Sequence, residues 1–299
     1  MSFPIIERPK GEYCICNGEK IHYGSETGKL LMSPVEDTIY YESIRFRDYV
    51  MVFFEDHMLR LYRSVMAKEA FDFDSELIYE QAEQLIRDQA EGSDGNLRIV
   101  LTRDTSVVHL SDAVYPDPCL FQKGIVAATL EWERVEPQIK VFRGDYKTAV
   151  AERLNDRTSY GIPYEVLLVN SDGKITEGSR SNFFVLHGDT VYSPPESTIL
   201  IGITRKYVMK ALSEASLHYE ERTFSLDEIS KMRDDPSFAL ADTAVFVTSS
   251  PFDILPIASI DDERFLSSEN QSLIRISEAY MRILEQYIDT RRIPVEPGQ

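Results

Sequence analysis

Apolar residues fall along this chain in short runs and at helical spacings, separated by clusters of Gly, Asn, Asp and Pro. Over residues 11–31, Tyr13-Cys14-Ile15-Cys16 and Lys20-Ile21-His22-Tyr23 flank Asn17-Gly18, a pattern that predicts a hairpin. The β-rich runs 38–46 and 50–54 predict a second strand pair, with a helix starting at Glu55-Asp56 and carrying His57, Leu59, Leu61, Val65 and Met66. Asp74-Ser75 predicts another helix start, with Leu77, Ile78, Ala82, Leu85 and Ile86 facing inward. Asp72 and Asp74 look like a metal-binding fragment, but at a helix start they read as a cap. A strand is predicted from Asn96 to Arg103, interrupted by Arg98 and Arg103.

Polar residues with two prolines, Asp112 to Asp117 and on to Pro118, predict a linker. Beyond it the pattern predicts strands at 122–132 and 138–143 and a helix from Asp145 to about Ser159. Two buried strands follow, around Val166-Leu167-Leu168-Val169 and Phe183-Phe184-Val185-Leu186. A strand at 189–193, a helix from Arg205 to Ala215, a late strand at Ala244 to Thr248 and a C-terminal helix from about Ser268 to Asp289 complete the chain. The class is α+β in two parts, 1–116 and 117–299.

Composition narrows the function. At 299 residues and 43% hydrophobic, the chain can bury two cores. A net charge of -18 disfavours nucleic acid and anionic membrane as partners, though arginines concentrated in a site can still hold an anionic small molecule. Cys14, Cys16 and Cys119 make neither a disulfide framework nor a metal-ligand spacing. No signal peptide and no apolar stretch of membrane-spanning length is read, so the expected location is the cytoplasm. The scattered histidines and the lack of a G-x-S-x-G, H-E-x-x-H or glycine-rich nucleotide loop argue against triad hydrolases and zinc enzymes.

The chemistry centres on Thr176-Glu177-Gly178-Ser179-Arg180-Ser181-Asn182, a polar patch between two buried strands. A carboxylate there needs a cationic or donor partner, either a neighbouring arginine or a ligand. Arg60, one helical turn beyond His57 and between apolar Leu59 and Leu61, reads as a solvated or stem-packed residue unless an anion lies near it. Gly202-Ile203-Thr204-Arg205 opens a helix whose N-terminus favours an anion, with Thr204 as the expected N-cap. Thr248-Ser249-Ser250 adds hydroxyls after a strand.

Taken in order, Tyr41-Glu42-Ser43-Ile44-Arg45, Glu55-Asp56-His57-Met58-Leu59-Arg60-Leu61, Thr176 to Phe183, Gly202-Ile203-Thr204-Arg205 and Val247-Thr248-Ser249-Ser250 to Ile257 resemble the class IV aminotransferases. This is the branched-chain and D-amino-acid aminotransferase and aminodeoxychorismate lyase group, and the match runs over about residues 38–260. The resemblance implies a two-domain fold-type IV architecture, D-amino-acid aminotransferase-like, with a small N-terminal α/β domain and a larger C-terminal domain with a pseudo-barrel. It implies pyridoxal 5′-phosphate (PLP), amino-group transfer or lyase chemistry on a small amino or keto acid, and a homodimer. Glu177 would hold the pyridine nitrogen protonated. Arg60, the N–H groups of Ile203 and Thr204, the Thr204 hydroxyl and Ser250 would hold the phosphate, with Ser179 beside it. Tyr146 would meet the phenolic oxygen, and Arg45 and Arg98 a substrate carboxylate.

One family position departs from the pattern. The lysine that forms the Schiff base is expected about 32–34 residues before Glu177, where this chain carries Arg143-Gly144-Asp145. A guanidinium stays protonated and makes no Schiff base. Lys140 and Lys147 flank the gap, so two readings stand: an active enzyme recruiting one of them, or a lysine-less homologue that binds PLP or another phosphorylated ligand non-covalently.

Overall fold

The computed structural model describes residue 5 and residues 8–112 and 115–292. Ala113 and Val114, inside the expected linker, and most of the N-terminal segment read for a signal peptide lie outside the described residues. The chain forms two compact units, Met1–Val114 with Ile139–Gly144 and Leu284–Gln299, and Tyr115–Gln138 with Asp145–Ile283. The sequence predicts two continuous parts, 1–116 and 117–299, whereas the first of these units includes two later segments. Among the described residues no helix is long and apolar enough to cross a membrane.

The first unit contains β1 (Pro9–Cys16), β2 (Glu19–His22), α1 (Glu26–Leu31), β3 (Tyr40–Arg47), β4 (Val50–Met51), α2 (Phe54–Lys68), α3 (Ser75–Gln89), β5 (Gly95–Leu101) and β6 (Ser106–Ser111). Its strands form one sheet in the order β2-β1-β6-β5-β3-β4. Asn17 and Gly18 both take positive φ at the β1–β2 turn, as an Asn-Gly hairpin turn requires. The expected strand at 50–54 shrinks to two residues, because Phe53 turns left-handed and α2 begins at Phe54. Asp74 caps α3 by accepting from the N–H groups of Glu76 and Leu77, so the metal-like spacing is a helix cap. Alternation along β3 buries Tyr40, Ile44 and Phe46 in the main core with Leu61 and Val65 of α2 and Leu85 of α3.

The segment 138–143 makes no regular strand. Val141 forms a single bridge to Tyr40, and the Phe142 N–H donates to the Ile39 carbonyl. A strand needs a neighbour along its whole length, and here the pairing ends after one bridge.

The second unit contains α4 (Pro118–Lys123), β7 (Ile125–Glu131), α5 (Gly144–Asn155), β8 (Glu165–Val169), β9 (Ile175–Gly178), β10 (Asn182–His187), β11 (Thr190–Ser193), α6 (Ile203–Glu214), β12 (His218–Glu221), α7 (Leu226–Arg233), β13 (Thr243–Ser249), β14 (Asp253–Ile260), β15 (Glu263–Arg264) and most of α8 (Gln271–Asp289). The sheet order is β12-β11-β10-β13-β14-β7-β8-β9, and β9 also pairs β10. That extra pairing closes β10, β13, β14, β7, β8 and β9 into a ring. Phe183, Val185, Val245, Val247, Leu255 and Ile257 pack in one cluster, while Phe184 and Phe246 stack on the other face of the same strands at 4.9 Å.

Candidate functional site

The second unit carries a row of polar side chains across three adjacent strands. Glu177 on β9 lies opposite Asn182 on β10, and Asn182 lies opposite Thr248 on β13. Directly opposed residues project from the same face, so carboxylate, carboxamide and hydroxyl stand side by side. All three are buried.

The segment before α6 is laid across this row. The Asn182 amide donates to the Leu200 carbonyl at 2.8 Å, its carbonyl oxygen accepts the Gly202 N–H at 3.0 Å, and Glu177 Oε2 accepts the Leu200 N–H at 3.3 Å. A Cβ on Gly202 would lie 2.1 Å from Asn182 Oδ1, so only glycine permits this approach. Gly202, not Thr204, is the N-cap; its extended backbone precedes Ile203, and no side chain caps the helix. Thr204 therefore sits in the first turn, buried, instead of at the cap. An uncapped helix start favours an anion. Thr248 Oγ1, in the same polar row, is buried with no hydrogen-bond partner among the described residues. Ser250 follows just after β13, half-buried.

The Glu177 end has an arginine that sequence reasoning missed. Arg134, in the loop after β7, brings Nε to 3.2 Å from Glu177 Oε1. Its Nη2 donates to the Tyr146 hydroxyl at 3.2 Å and to the Ser179 carbonyl at 3.3 Å, and its guanidinium lies over the Tyr146 ring at 5.0 Å. The Tyr146 hydroxyl donates to the Ser179 carbonyl at 2.7 Å, and the ring rests against Trp132. Burial pushes the Tyr146 phenol well above its usual range despite Arg134, so it is a neutral donor at physiological pH. Of the two partners the sequence allows Glu177, the arginine is present.

Ser179, expected beside a phosphate, is committed elsewhere. Its N–H and hydroxyl donate to Glu165 at 3.1 and 2.5 Å, and the Ser181 hydroxyl donates to the other Glu165 oxygen at 2.8 Å. Glu165 is fully buried and pins the 178–181 turn behind Glu177. No local pattern marks it in the sequence, since it stands at the head of an apolar strand. Gly178 packs so closely that a Cβ would meet Ser181 Oγ at 1.9 Å. Gly178→Ala is therefore expected to dislodge Ser181 from Glu165 and lower stability by about 1–3 kcal/mol, read as a lower midpoint in denaturant. An unchanged midpoint would show that the turn adapts freely.

The remaining predicted residues lie in the first unit or on α5. Arg60, assigned to a phosphate by resemblance, gives two guanidinium N–H groups to the fully buried Glu42, Nε to Oε1 at 2.7 Å and Nη2 to Oε2 at 2.5 Å. His57 Nδ1 lies 2.7 Å from the same carboxylate. Burial alone would raise the Glu42 carboxyl, but the Arg60 charge and the bonds from Arg60 and His57 outweigh it and hold it far below the carboxylate range. Burial lowers the His57 imidazole more than Glu42 raises it, so the ring is neutral and its Nδ1–H is the donor.

Tyr41, Ser43 and Arg45 project from the other face of β3. There Ser43 pairs with Arg98 and Arg45 with Asn96 on β5, and Arg98 is buried beneath the Tyr41 ring, 5.9 Å from its centre. The Lys140 N–H donates to the Ser64 hydroxyl, and its Nζ lies 4.7 Å from the centre of the Tyr41 ring. Arg143 immediately precedes α5, and Lys147 is one residue beyond Tyr146 on that helix. Among the described residues no group of three or more His, Cys, Asp or Glu could hold a metal ion.

A family model described as amino-transferase class IV matches residues 40–260. The D-alanine aminotransferase of Bacillus licheniformis is 26% identical over 242 residues, 75% of this chain and 79% of that protein. A protein described as a branched-chain-amino-acid aminotransferase in Methanocaldococcus jannaschii is 24% identical over 271 residues, 84% of this chain and 86% of its own. Among solved structures, a branched-chain amino acid aminotransferase from T.th. with pyridoxamine 5′-phosphate superposes with a TM-score of 0.74 at 18% identity, covering 96% of this chain and 97% of that one. A counterpart from Thermotoga maritima gives a TM-score of 0.72 at 19% identity, over 92% and 95%. At these identities the structural likeness speaks for the fold.

Proposed function

Since this chain belongs to the class IV aminotransferase family, we propose that its second unit binds PLP, or a closely related phosphorylated ligand, without a covalent bond to lysine. The observation that carries this reading is the uncapped start of α6, its Gly202 clamped by Asn182, beside the unpartnered buried hydroxyl of Thr248. Those groups suit a phosphate: free backbone N–H groups, a helix dipole and a hydroxyl, with no room for a side chain between them. The N–H groups of Ile203 and Thr204, the Thr204 hydroxyl and Ser250 would hold the phosphate. Glu177 would take the ring nitrogen and Tyr146 the phenolic oxygen. Ser179 contributes indirectly, by tying the turn to Glu165. When bound, PLP supplies an electron-withdrawing ring to an attached amine. Arg45 and Arg98 are proposed for a substrate carboxylate.

The second reading, transamination or lyase chemistry on a small amino or keto acid, requires an amine able to form a Schiff base. The candidates are Lys140, whose Nζ lies 4.7 Å from the centre of the Tyr41 ring, and Lys147, one residue beyond Tyr146 on α5. Reduction with borohydride after loading with PLP decides between the two. The expected result is visible absorbance that dialysis removes and no pyridoxyl-lysine among the peptides. A pyridoxyl group mapped to Lys140 or Lys147 would establish the enzyme reading instead. The assembly proposed is a homodimer, which light scattering measures directly.

A further inference from the structure

We propose that Arg134 is a positioning residue for this site, one that keeps the buried Glu177 carboxylate ionised and couples it to Tyr146. The meaning of Glu177 as a ligand group rests on the proposed function; the charge coupling does not. A carboxylate as buried as Glu177 protonates unless a cation and donors hold it ionised. Arg134 Nε, 3.2 Å from Oε1, is that cation, and the Leu200 N–H supplies a donor to Oε2.

Four groups anchor the arginine: Glu177, the Tyr146 hydroxyl, the Ser179 carbonyl and the face of the Tyr146 ring. It therefore fixes two proposed ligand contacts at once, the acceptor for the ring nitrogen and the phenol for the ring oxygen. Other titratable and charged groups face this pair. Tyr146 on α5 is neutral, and Glu165 on β8 is held by Ser179, Ser181 and the Val166 N–H, with Arg180 Nε at 3.8 Å.

The test uses the full chain without ligand first. In Arg134→Leu at neutral pH, the infrared spectrum should gain the band of one protonated carboxyl group, absent from wild type and lost again in Arg134→Leu/Glu177→Gln. Arg134→Lys should show no band, because a cation is restored. A spectrum of Arg134→Leu without a new band would overturn the inference whether or not PLP binds. In PLP titrations followed by absorbance, Arg134→Leu should weaken binding about ten-fold or more, and should cost clearly less in the Glu177→Gln background, where only the Tyr146 contact is left to lose. Equal losses in the wild-type and Glu177→Gln backgrounds would mean that Arg134 acts only on packing, and would also refute the coupling. Where the leucine variant does not fold, Arg134→Gln is read the same way. Wild type that takes up no PLP would end the proposed function while the infrared comparison still judges Arg134.

Discussion

Replacing Glu42 by Ala is expected to destabilise the protein by about 3–5 kcal/mol, the cost of leaving a largely buried arginine without its counter-ion. Glu42 is fully buried, and both Arg60 and His57 direct hydrogen bonds to it. Removing the carboxylate strands the guanidinium and the His57 N–H together. Glu42→Leu combined with Arg60→Met should recover part of the loss, since both charges leave together. Denaturant unfolding of the single and double variants measures this, and a cost below about 1 kcal/mol would place the pair among ordinary surface ion pairs.

The same pair sets an acid limb. The folded-state Glu42 carboxyl lies below its unfolded value of 4.5, so its contribution is present above that pH and is lost as pH falls from there toward the folded value. Wild type should lose stability steeply in that window, and Glu42→Gln should lose less. Parallel curves for the two proteins would contradict the assignment.

Glu177→Ala should weaken PLP binding about ten- to hundred-fold, the usual range for losing a charge-assisted hydrogen bond. It should also leave Arg134 without the carboxylate 3.2 Å away, so some loss of stability is expected beside the loss of affinity. Glu177→Gln separates the two effects. The amide keeps the shape and can still accept from the Leu200 N–H, but it does not stabilise a protonated ring nitrogen. Affinity that falls in both variants, with stability falling mainly in the alanine variant, is the expected pattern. Wild-type affinity in Glu177→Gln would remove Glu177 from the proposed ligand wall.

Much of the local structure was legible because it is written in short-range chemistry. The Asn17-Gly18 turn, the Asp74 cap and the strands on either side of Glu177 follow from residues within a few positions of each other. The lost strand at 138–143 shows the limit. Its apolar alternation suited a strand, but among the described residues no neighbour runs alongside beyond the bridge at Tyr40. Thr204 was misread as a cap because serine- and threonine-like residues favour that position, whereas Asn182, twenty residues earlier, holds Gly202 there.

The family, many of the elements and the identity of most polar groups can be read from the chain's own order of residues, since motif residues and hydrophobic periods are local properties. Only the tertiary structure decided what those groups bind. Glu177 found Arg134 across 43 positions and Arg60 found Glu42 across 18. Ser179 turned to Glu165, and Thr248 came to stand beside Asn182. A buried charge takes whichever partner the fold brings within a few ångströms, and sequence distance does not enter that choice.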